Sequence, residues 1–291
     1  MATYRLDVEY EGTRYHGWQE QKNARSVAGE LRAALEQAGA PFLELAGSGR
    51  TDAGVHALRQ TAHLRLRESR PAEPLKLAAN DRLPSDIHIL GLWPARAGFH
   101  ARHDAIARSY VYQLARRRSA LGKRWVWWIK RPLSIERLRR AASQIEGRHD
   151  FRRLCERPAE QPSTIVVVEK VEVAEEGDLI LIRLVASHFL WKMVRRVVGV
   201  LARIAAGEVQ EAGLGELLEA ADGADEESPA RWTAPPSGLF LERVRYPGEP
   251  GIPPLAAAVS VARGAAGAFS PFLGAEARKA RSSRTGRASG R

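Results

Sequence analysis

The 291-residue sequence contains a single cysteine, Cys155, and no long apolar segment. One cysteine cannot form an internal disulfide, a tetracysteine zinc site or an iron–sulfur cluster, so we expect a reducing compartment. No apolar run approaches the roughly 18 residues that a membrane span needs, and the first residues lack the apolar region of a signal peptide. The sequence therefore predicts a cytoplasmic protein with no membrane partner.

Acidic residues are few relative to basic ones. There are 34 Asp and Glu against 45 Lys and Arg, which gives a formal net charge of +11 and a pI near 10.3. A basic surplus of this size favours a polyanionic partner, with nucleic acid ahead of an acidic membrane surface. A role in solubility alone is the alternative interpretation. The hydrophobic fraction of 44% is close to the globular average and is enough for a sizeable core.

The hydrophobic periodicity predicts the order strand–helix–strand twice. Residues 4–10 alternate as a half-buried strand, and Ser26 precedes a helix whose apolar positions recur at helical spacing. A second strand over 109–115 is followed by a helix that begins after Ser134. We therefore expect an α+β fold with pseudo-duplicated halves, the N-terminal half over 1–108 and the C-terminal half over 109–247, although no repeat is visible in the sequence.

The composition changes after residue 247. Pro, Gly, Ala and Ser dominate the segment 248–291, and basic residues cluster near its end. A segment with so few large apolar side chains is predicted to be a disordered basic tail. The tail either holds RNA weakly or is a solvated segment with no specific role, and the sequence does not separate these alternatives.

The densest run of glycine and polar residues is Gly47-Ser-Gly-Arg-Thr-Asp-Ala-Gly-Val-His-Ala57. It lacks the Gly-Lys-Ser/Thr of a phosphate-binding P-loop and the third glycine of a dinucleotide-binding motif. What remains is Asp52, two residues after Arg50. A guanidinium can keep a nearby carboxylate ionised, and an ionised, oriented aspartate can act as a nucleophile or general base. The alternative is that Asp52 only closes an Asx-turn.

This run belongs to a series of eight stretches that resemble, in order, the motifs of the TruA family of tRNA pseudouridine synthases. The first is Tyr10-Glu-Gly-Thr-Arg-Tyr-His-Gly-Trp-Gln-Glu-Gln21, and Gly49-Arg-Thr-Asp-Ala-Gly-Val-His-Ala57 is similar to the catalytic motif of the family. The others are residues 80–87, 99–102, 109–112, 147–151, 189–195 and 233–239. The resemblance extends over about residues 4–247.

The resemblance implies the pseudouridine synthase fold, in which helices flank a central, mostly antiparallel sheet. It implies an isomerase that converts uridine to pseudouridine in tRNA, at positions 38, 39 and 40 of the anticodon arm. It further implies a homodimer, with each tRNA contacting both subunits. The reaction changes no redox state and transfers no group to another molecule, so no cofactor is expected, and we expect no metal either.

The resemblance also implies roles for four residues. Asp52 matches the catalytic aspartate, and Arg195 matches the arginine that forms a salt bridge with it. Arg50 matches an arginine that helps to open the RNA stack and pairs with the carboxylate. Tyr110 matches the tyrosine that stacks on the target uracil.

The helical pattern over residues 190–206 supports the role of Arg195 independently. Its apolar residues share one face, whereas Lys192, Arg196 and Arg203 share the opposite face. Arg195 falls at the border, where an arginine can bury its stem and present its charged head to a cleft. A surface ion pair is the alternative interpretation of this position.

Two other functions fit parts of the sequence. A catalytically inactive RNA-binding protein or tRNA chaperone would also be basic, although it would not need the motif around Asp52. A carboxylate-dependent glycosidase would need a second placed acid, but the loop contains only one acidic residue, Asp52. Departures from the family pattern at Glu11, Ala28, Arg196 and Arg231-Trp232 concern the substrate range and the cleft rim, and none of them alters the four residues above.

Overall fold

A computed structural model describes residues 1–156, 163–219 and 229–261. The strands are β1 (Ala2–Tyr10), β2 (Phe42–Gly47), β3 (His56–Leu66), β4 (Ile87–Pro94), β5 (Ala107–Ala115), β6 (Trp127–Trp128), β7 (Gly147–Asp150), β8 (Ile165–Glu176), β9 (Leu179–Ala186) and β10 (Leu239–Arg245). The helices are α1 (Val27–Gln37), α2 (Ala72–Asn80), α3 (Ile135–Ser143), α4 (Met193–Ala205) and α5 (Ala212–Glu219). No helix among these residues has the length and apolar character needed to cross a lipid bilayer.

The strands form a single sheet in which the chain repeats one arrangement. The order is β4-β1-β3-β10-β5-β9-β8-β7, with β2 beside β3 and β6 beside β5. In the first half, the strand neighbours run β2-β3-β1-β4, and in the second half they run β8-β9-β5-β10. One helix follows the first strand of each half, and another precedes its last strand. The predicted α+β fold with pseudo-duplicated halves is therefore confirmed.

The pairing is antiparallel except for two short parallel contacts, β3–β10 and β5–β6. The β3–β10 pair joins the two halves, because β10 ends the second half and β3 lies inside the first. It is limited to Phe240 opposite His56 and Leu241 opposite Ala57. The two halves thus meet at the middle of the sheet.

Helices α1 and α3 begin where the sequence predicts them, whereas α4 begins at Met193 and not at residue 190. The Ser26 hydroxyl accepts the N–H of Gly29 at 3.2 Å, and the Ser134 hydroxyl accepts the N–H of Arg137 at 3.3 Å. Each serine satisfies a donor that the first helical turn leaves free. The capping residues therefore fix the starts of α1 and α3 from local sequence alone.

Each half has its own hydrophobic core between helices and sheet. In the first half, Leu31 and Leu35 of α1 pack with Leu6 and Leu64 of the sheet. In the second half, the buried side of α4 and α3 packs against β5, β8 and β9. Tyr110 is the half-buried aromatic residue that packs against both cores. The boundary between the two helix layers therefore lies above the centre of the sheet, next to Tyr110.

Part of the predicted tail packs on the body of the protein. Three apolar residues of the segment 248–261 contact a buried cluster on β5, β9 and the loop before β6; they are Leu255, Ala257 and Val261. The Gln113 side chain also accepts the N–H and donates to the carbonyl oxygen of Val259, both at 3.2 Å. The prediction of disorder therefore does not hold for residues 248–261, because a few spaced apolar residues suffice to cover an exposed end of the core. Residues 262–291 lie outside the described residues.

Two truncations test this contact. Deleting residues 250–291 should lower the melting temperature, because it removes the apolar contacts and both hydrogen bonds between Gln113 and Val259. For a domain of this size, each kcal/mol of lost stability should lower the melting temperature by about 2–4 °C. Deleting residues 262–291 keeps those contacts, so its melting temperature should match that of the full chain. Equal melting temperatures for the two truncated chains in calorimetry would contradict the packing described here.

Candidate active site

An ion pair joins the two halves at the centre of the molecule. Asp52 lies in the loop between β2 and β3, and Arg195 lies in the first turn of α4. Arg195 Nη1 donates to Asp52 Oδ2 at 3.2 Å, so the predicted contact is present. The two side chains are 15% and 22% exposed, respectively, which leaves the pair accessible but largely shielded from water. At such partly buried positions, the attraction between opposite charges exceeds that of a fully solvated pair.

The backbone next to α4 holds Arg195 in place. Arg195 Nε donates to the carbonyl oxygen of Ala234 at 2.7 Å, and the Ala234 N–H donates back to the Arg195 carbonyl oxygen at 3.0 Å. These two bonds fix the guanidinium without using its Nη1 donor. The donor therefore stays directed at Asp52.

The segment after β1 lies directly against the loop that carries Asp52. The Trp18 N–H donates to the Thr51 carbonyl oxygen at 3.2 Å, and the Gly54 N–H donates to the carbonyl oxygen of Tyr15 at 3.1 Å. A Cβ on Gly12 would lie 2.0 Å from the Val55 carbonyl oxygen, so any other residue there would collide with the loop. The two glycine-containing motifs are thus parts of one structure, in which the first supports the second.

Buried polar groups support the loop from beneath. The Tyr10 and Thr51 hydroxyls share a hydrogen bond of 2.8 Å. His56 Nδ1 accepts the Gly12 N–H at 2.9 Å, so its proton sits on Nε2, which donates to the Arg124 carbonyl oxygen at 3.0 Å. Burial lowers the pKa of His56, which keeps the ring neutral and this arrangement intact at neutral pH. His56 is therefore a structural residue of the loop.

Tyr110 lies on the same face of the sheet as the ion pair. One row of paired residues crosses five strands on that face: Tyr10, Ala57, Leu241, Tyr110 and Leu184. The Tyr110 ring meets the Phe189 ring edge-on, with centroids 5.1 Å apart. Burial raises the pKa of the Tyr110 phenol, and the nearby Tyr10 and Asp52 raise it further. The phenol therefore stays protonated, and the aromatic ring is the feature that it offers to a ligand.

The structure places Arg50 differently from the expectation. Arg50 is exposed, and within the described residues it makes no hydrogen bond or ion pair. The carboxylate of Asp52 is paired with Arg195 and not with Arg50, which corrects the expected pairing. The short distance in sequence does not bring the Arg50 guanidinium to the carboxylate, whereas α4 brings Arg195, 143 residues later in the chain, into contact with it.

Arg108 is a further residue of the site that sequence reasoning missed. Its guanidinium donates to the carbonyl oxygens of Ser187 and Arg102, both at 2.7 Å, and of Ser48 at 3.1 Å. It therefore ties the start of the Asp52 loop to two other segments. Its position two residues before Tyr110, on the same face of a strand, was the available signal.

Glu44, His63 and His100 are the described side chains that could together hold a metal ion, with ligand atoms within 4.8 Å of one another. However, Nδ1 of His63 accepts the Ala101 N–H, and Nδ1 of His100 accepts the Arg102 N–H, both at 3.2 Å. Each neutral ring therefore carries its proton on Nε2 and has no lone pair there for a metal. His63 Nε2 instead faces Glu44 Oε1 at 3.3 Å. The cluster does not fit a metal ion.

Comparison with known proteins shows similarity along most of the chain. The family model described as tRNA pseudouridine synthase matches residues 8–104 and 141–247. A tRNA pseudouridine synthase A of Methylococcus capsulatus is 38% identical over 249 residues, which cover 85% of this chain and 90% of the relative. One of Aquifex aeolicus is 38% identical over 246 residues, covering 84% and 99%, respectively. A solved H/ACA RNP bound to a substrate RNA containing 2′-deoxyuridine covers 69% of this chain and 52% of that one, with 10% identity and a TM-score of 0.32.

The support that the first motif gives to the loop is testable at one glycine. Gly12→Ala should lower the free energy of unfolding by about 1–3 kcal/mol, because its Cβ would collide with the Val55 carbonyl oxygen. Gly49→Ala is the matched control, since a Cβ there has nothing within 4 Å. Urea unfolding measures both changes. Equal stability of the two variants would show that Gly12 is not required for the contact.

Proposed function

The chain belongs to the tRNA pseudouridine synthase family, and we propose that it isomerises uridine to pseudouridine at positions 38, 39 and 40 of the tRNA anticodon arm. The observation that carries the proposal is the carboxylate of Asp52, which Arg195 holds at 3.2 Å and which is 22% exposed. The net charge of +11 suits an RNA substrate.

The reaction needs only groups that the chain itself provides. The N1–C1′ glycosidic bond breaks, the uracil turns, and C5 bonds to C1′. A proton leaves C5 and one is gained at N1, so the atomic composition and the redox state are unchanged. The uridine must leave its stack before a side chain can reach it. A basic protein with one placed, partly shielded carboxylate meets these needs.

We assign the central chemical role to Asp52. As a nucleophile or as a general base, the carboxylate must be ionised, and the adjacent guanidinium of Arg195 favours that form. Ala234 fixes Arg195 from behind, so the carboxylate has a defined position before substrate arrives. Such preorganisation lowers the cost of reaching the reactive geometry.

Tyr110 and Arg50 fit roles toward the RNA. The protonated phenol ring of Tyr110 lies near Asp52, where it can stack on an extruded uracil. Arg50 is exposed and has no partner among the described residues, so its guanidinium is free to contact a phosphate or fill the gap left in the stack.

A protein that binds tRNA without modifying it is the alternative. Such a protein would need the basic surface, but it would gain nothing from a carboxylate in the RNA-binding cleft, where it repels phosphate. The Asp52–Arg195 pair thus favours the enzyme.

We also propose that the enzyme acts in the cytoplasm as a homodimer, with each tRNA contacting both subunits. The single cysteine, Cys155, and the resemblance of the motifs support this proposal. Light scattering of the purified chain tests the dimer, and a monomer at micromolar concentration would contradict it.

The direct test of the proposed function uses unmodified tRNA transcripts with a uridine at position 38, 39 or 40. Incubation with the purified protein should produce pseudouridine at these positions, mapped at nucleotide resolution. Pseudouridine elsewhere would keep the reaction but contradict the positions. Tight tRNA binding without any pseudouridine would favour the alternative.

Replacing Arg195 should reduce turnover. Arg195→Gln removes a hydrogen bond between charged groups, so the rate at saturating tRNA should fall by about 10- to 100-fold. Arg203→Gln is the matched control, because Arg203 lies on the same helix but pairs with Glu208. Thermal melting of both variants separates a loss of chemistry from a loss of stability. Turnover of Arg195→Gln at the control level would contradict the role of the ion pair.

The role of Tyr110 can be divided between its ring and its hydroxyl. Tyr110→Phe keeps the stacking face and should retain most of the turnover, whereas Tyr110→Ala should lose about 1–3 kcal/mol of stacking and most of the rate. Single-turnover kinetics with tRNA measures both. An equal loss in the two variants would assign the chemical role to the hydroxyl instead.

A further inference from the structure

A cavity lined by cationic and aromatic side chains lies on the face of the sheet opposite Tyr110. It has a volume of about 420 Å³ and is lined by β1, β3, β4, β10 and the loop after β4. One of its residues, Arg243, pairs with Ser109, which neighbours Tyr110 on β5 and therefore points to the opposite face. The cavity is thus separated from Asp52 by the sheet itself.

The wall of the cavity offers a flat aromatic surface. Trp93 is 44% exposed, and its indole folds back over Gly91, two residues earlier on the same strand. A Cβ at Gly91 would lie 1.9 Å from the Trp93 ring, so only a glycine lets the indole lie flat on the strand. The other face of the ring is left toward the cavity and solvent. Such a platform can stack a base of any identity, because every base has a π-face.

Among the residues that the structure describes, one guanidinium of the cavity lining, that of Arg243, has no protein partner. Asp7 pairs with Arg5 and Arg59, both at 3.0 Å, and Glu249 also pairs with Arg5. These groups largely neutralise one another. Arg243 makes no ion pair or hydrogen bond with the described residues, and its buried Nε has no acceptor. A buried donor without an acceptor is unfavourable unless a ligand supplies one.

We propose that this cavity is a second RNA site, which binds one single-stranded nucleotide of the tRNA outside the uridine that is converted. The base stacks on Trp93, and the phosphate binds Arg243. Guanidinium groups bind phosphate through paired N–H donors, and an acidic peptide would have no use for the indole platform. The inference rests on the proposed function for the identity of the RNA, but the site acts on affinity and not on the chemical step.

The test compares tRNA affinity with the rate at saturation. Arg243→Gln and Trp93→Ala should each raise the Kd for unmodified tRNA by about 5- to 100-fold, with the single-turnover rate at saturating tRNA unchanged. Arg245→Gln is the matched control, since Arg245 lies two residues further on the same strand face and already pairs with Glu169 at 2.8 Å. It should leave the Kd near the wild-type value. Trp93→Phe, which keeps an aromatic face, should restore most of the affinity.

Three outcomes would overturn the site. An unchanged Kd in Arg243→Gln and Trp93→Ala would show that the cavity does not bind RNA. An equal loss in Arg245→Gln would show an effect of total charge. Dissociation of an oligomer by Arg243→Gln, seen by light scattering, would show that a second copy of the chain covers the cavity. If the wild-type protein forms no pseudouridine but Arg243→Gln and Trp93→Ala still weaken tRNA binding, the proposed function would be overturned and the second RNA site would stand.

Discussion

The contact between Arg195 and Asp52 is the interaction on which the site depends. The aspartate comes from a loop of the first half and the arginine from a helix of the second, 143 residues later in the chain. Removing two charges from water is costly, and a partly buried pair forms only where the fold holds both partners in place. Ala234 does so for the arginine, and the Gly12–Trp18 segment does so for the loop. Each of these supports is provided by backbone groups, so the geometry does not depend on mobile surface side chains.

The duplicated fold explains why the site lies where it does. The helices of each half pack on one side of the same sheet face. The short β3–β10 pair lies between the two halves, at the centre of the sheet. The carboxylate of Asp52 comes from one half, and the Tyr110 ring and Arg195 come from the other. Neither half contains the complete set. The two halves share a similar arrangement of strands and helices but differ in chemistry, because the first contributes the acid and the second contributes its cationic partner.

Local structure was predictable because its causes are local. The serine caps of α1 and α3 and the alternation in β1 depend on a few neighbouring residues, and the motifs predicted the contact between Arg195 and Asp52. What the sequence did not reveal depends on the tertiary fold. Arg108 is held by carbonyl oxygens from three segments of the chain, and residues 248–261 pack where they cover Gln113 and an apolar cluster on β5 and β9. Arg50 shows the converse, since proximity in sequence did not produce a contact.

The central claim is that the ionised carboxylate of Asp52 carries the reaction. Its most direct test is single-turnover conversion of unmodified tRNA by Asp52→Asn, which keeps the shape of the side chain but removes its charge. Asp81→Asn, at an exposed aspartate just after α2, is the control for the loss of one charge. The account predicts no pseudouridine from Asp52→Asn, tRNA affinity close to that of the wild type, and full activity of the control. Pseudouridine formation by Asp52→Asn near the wild-type rate would contradict it.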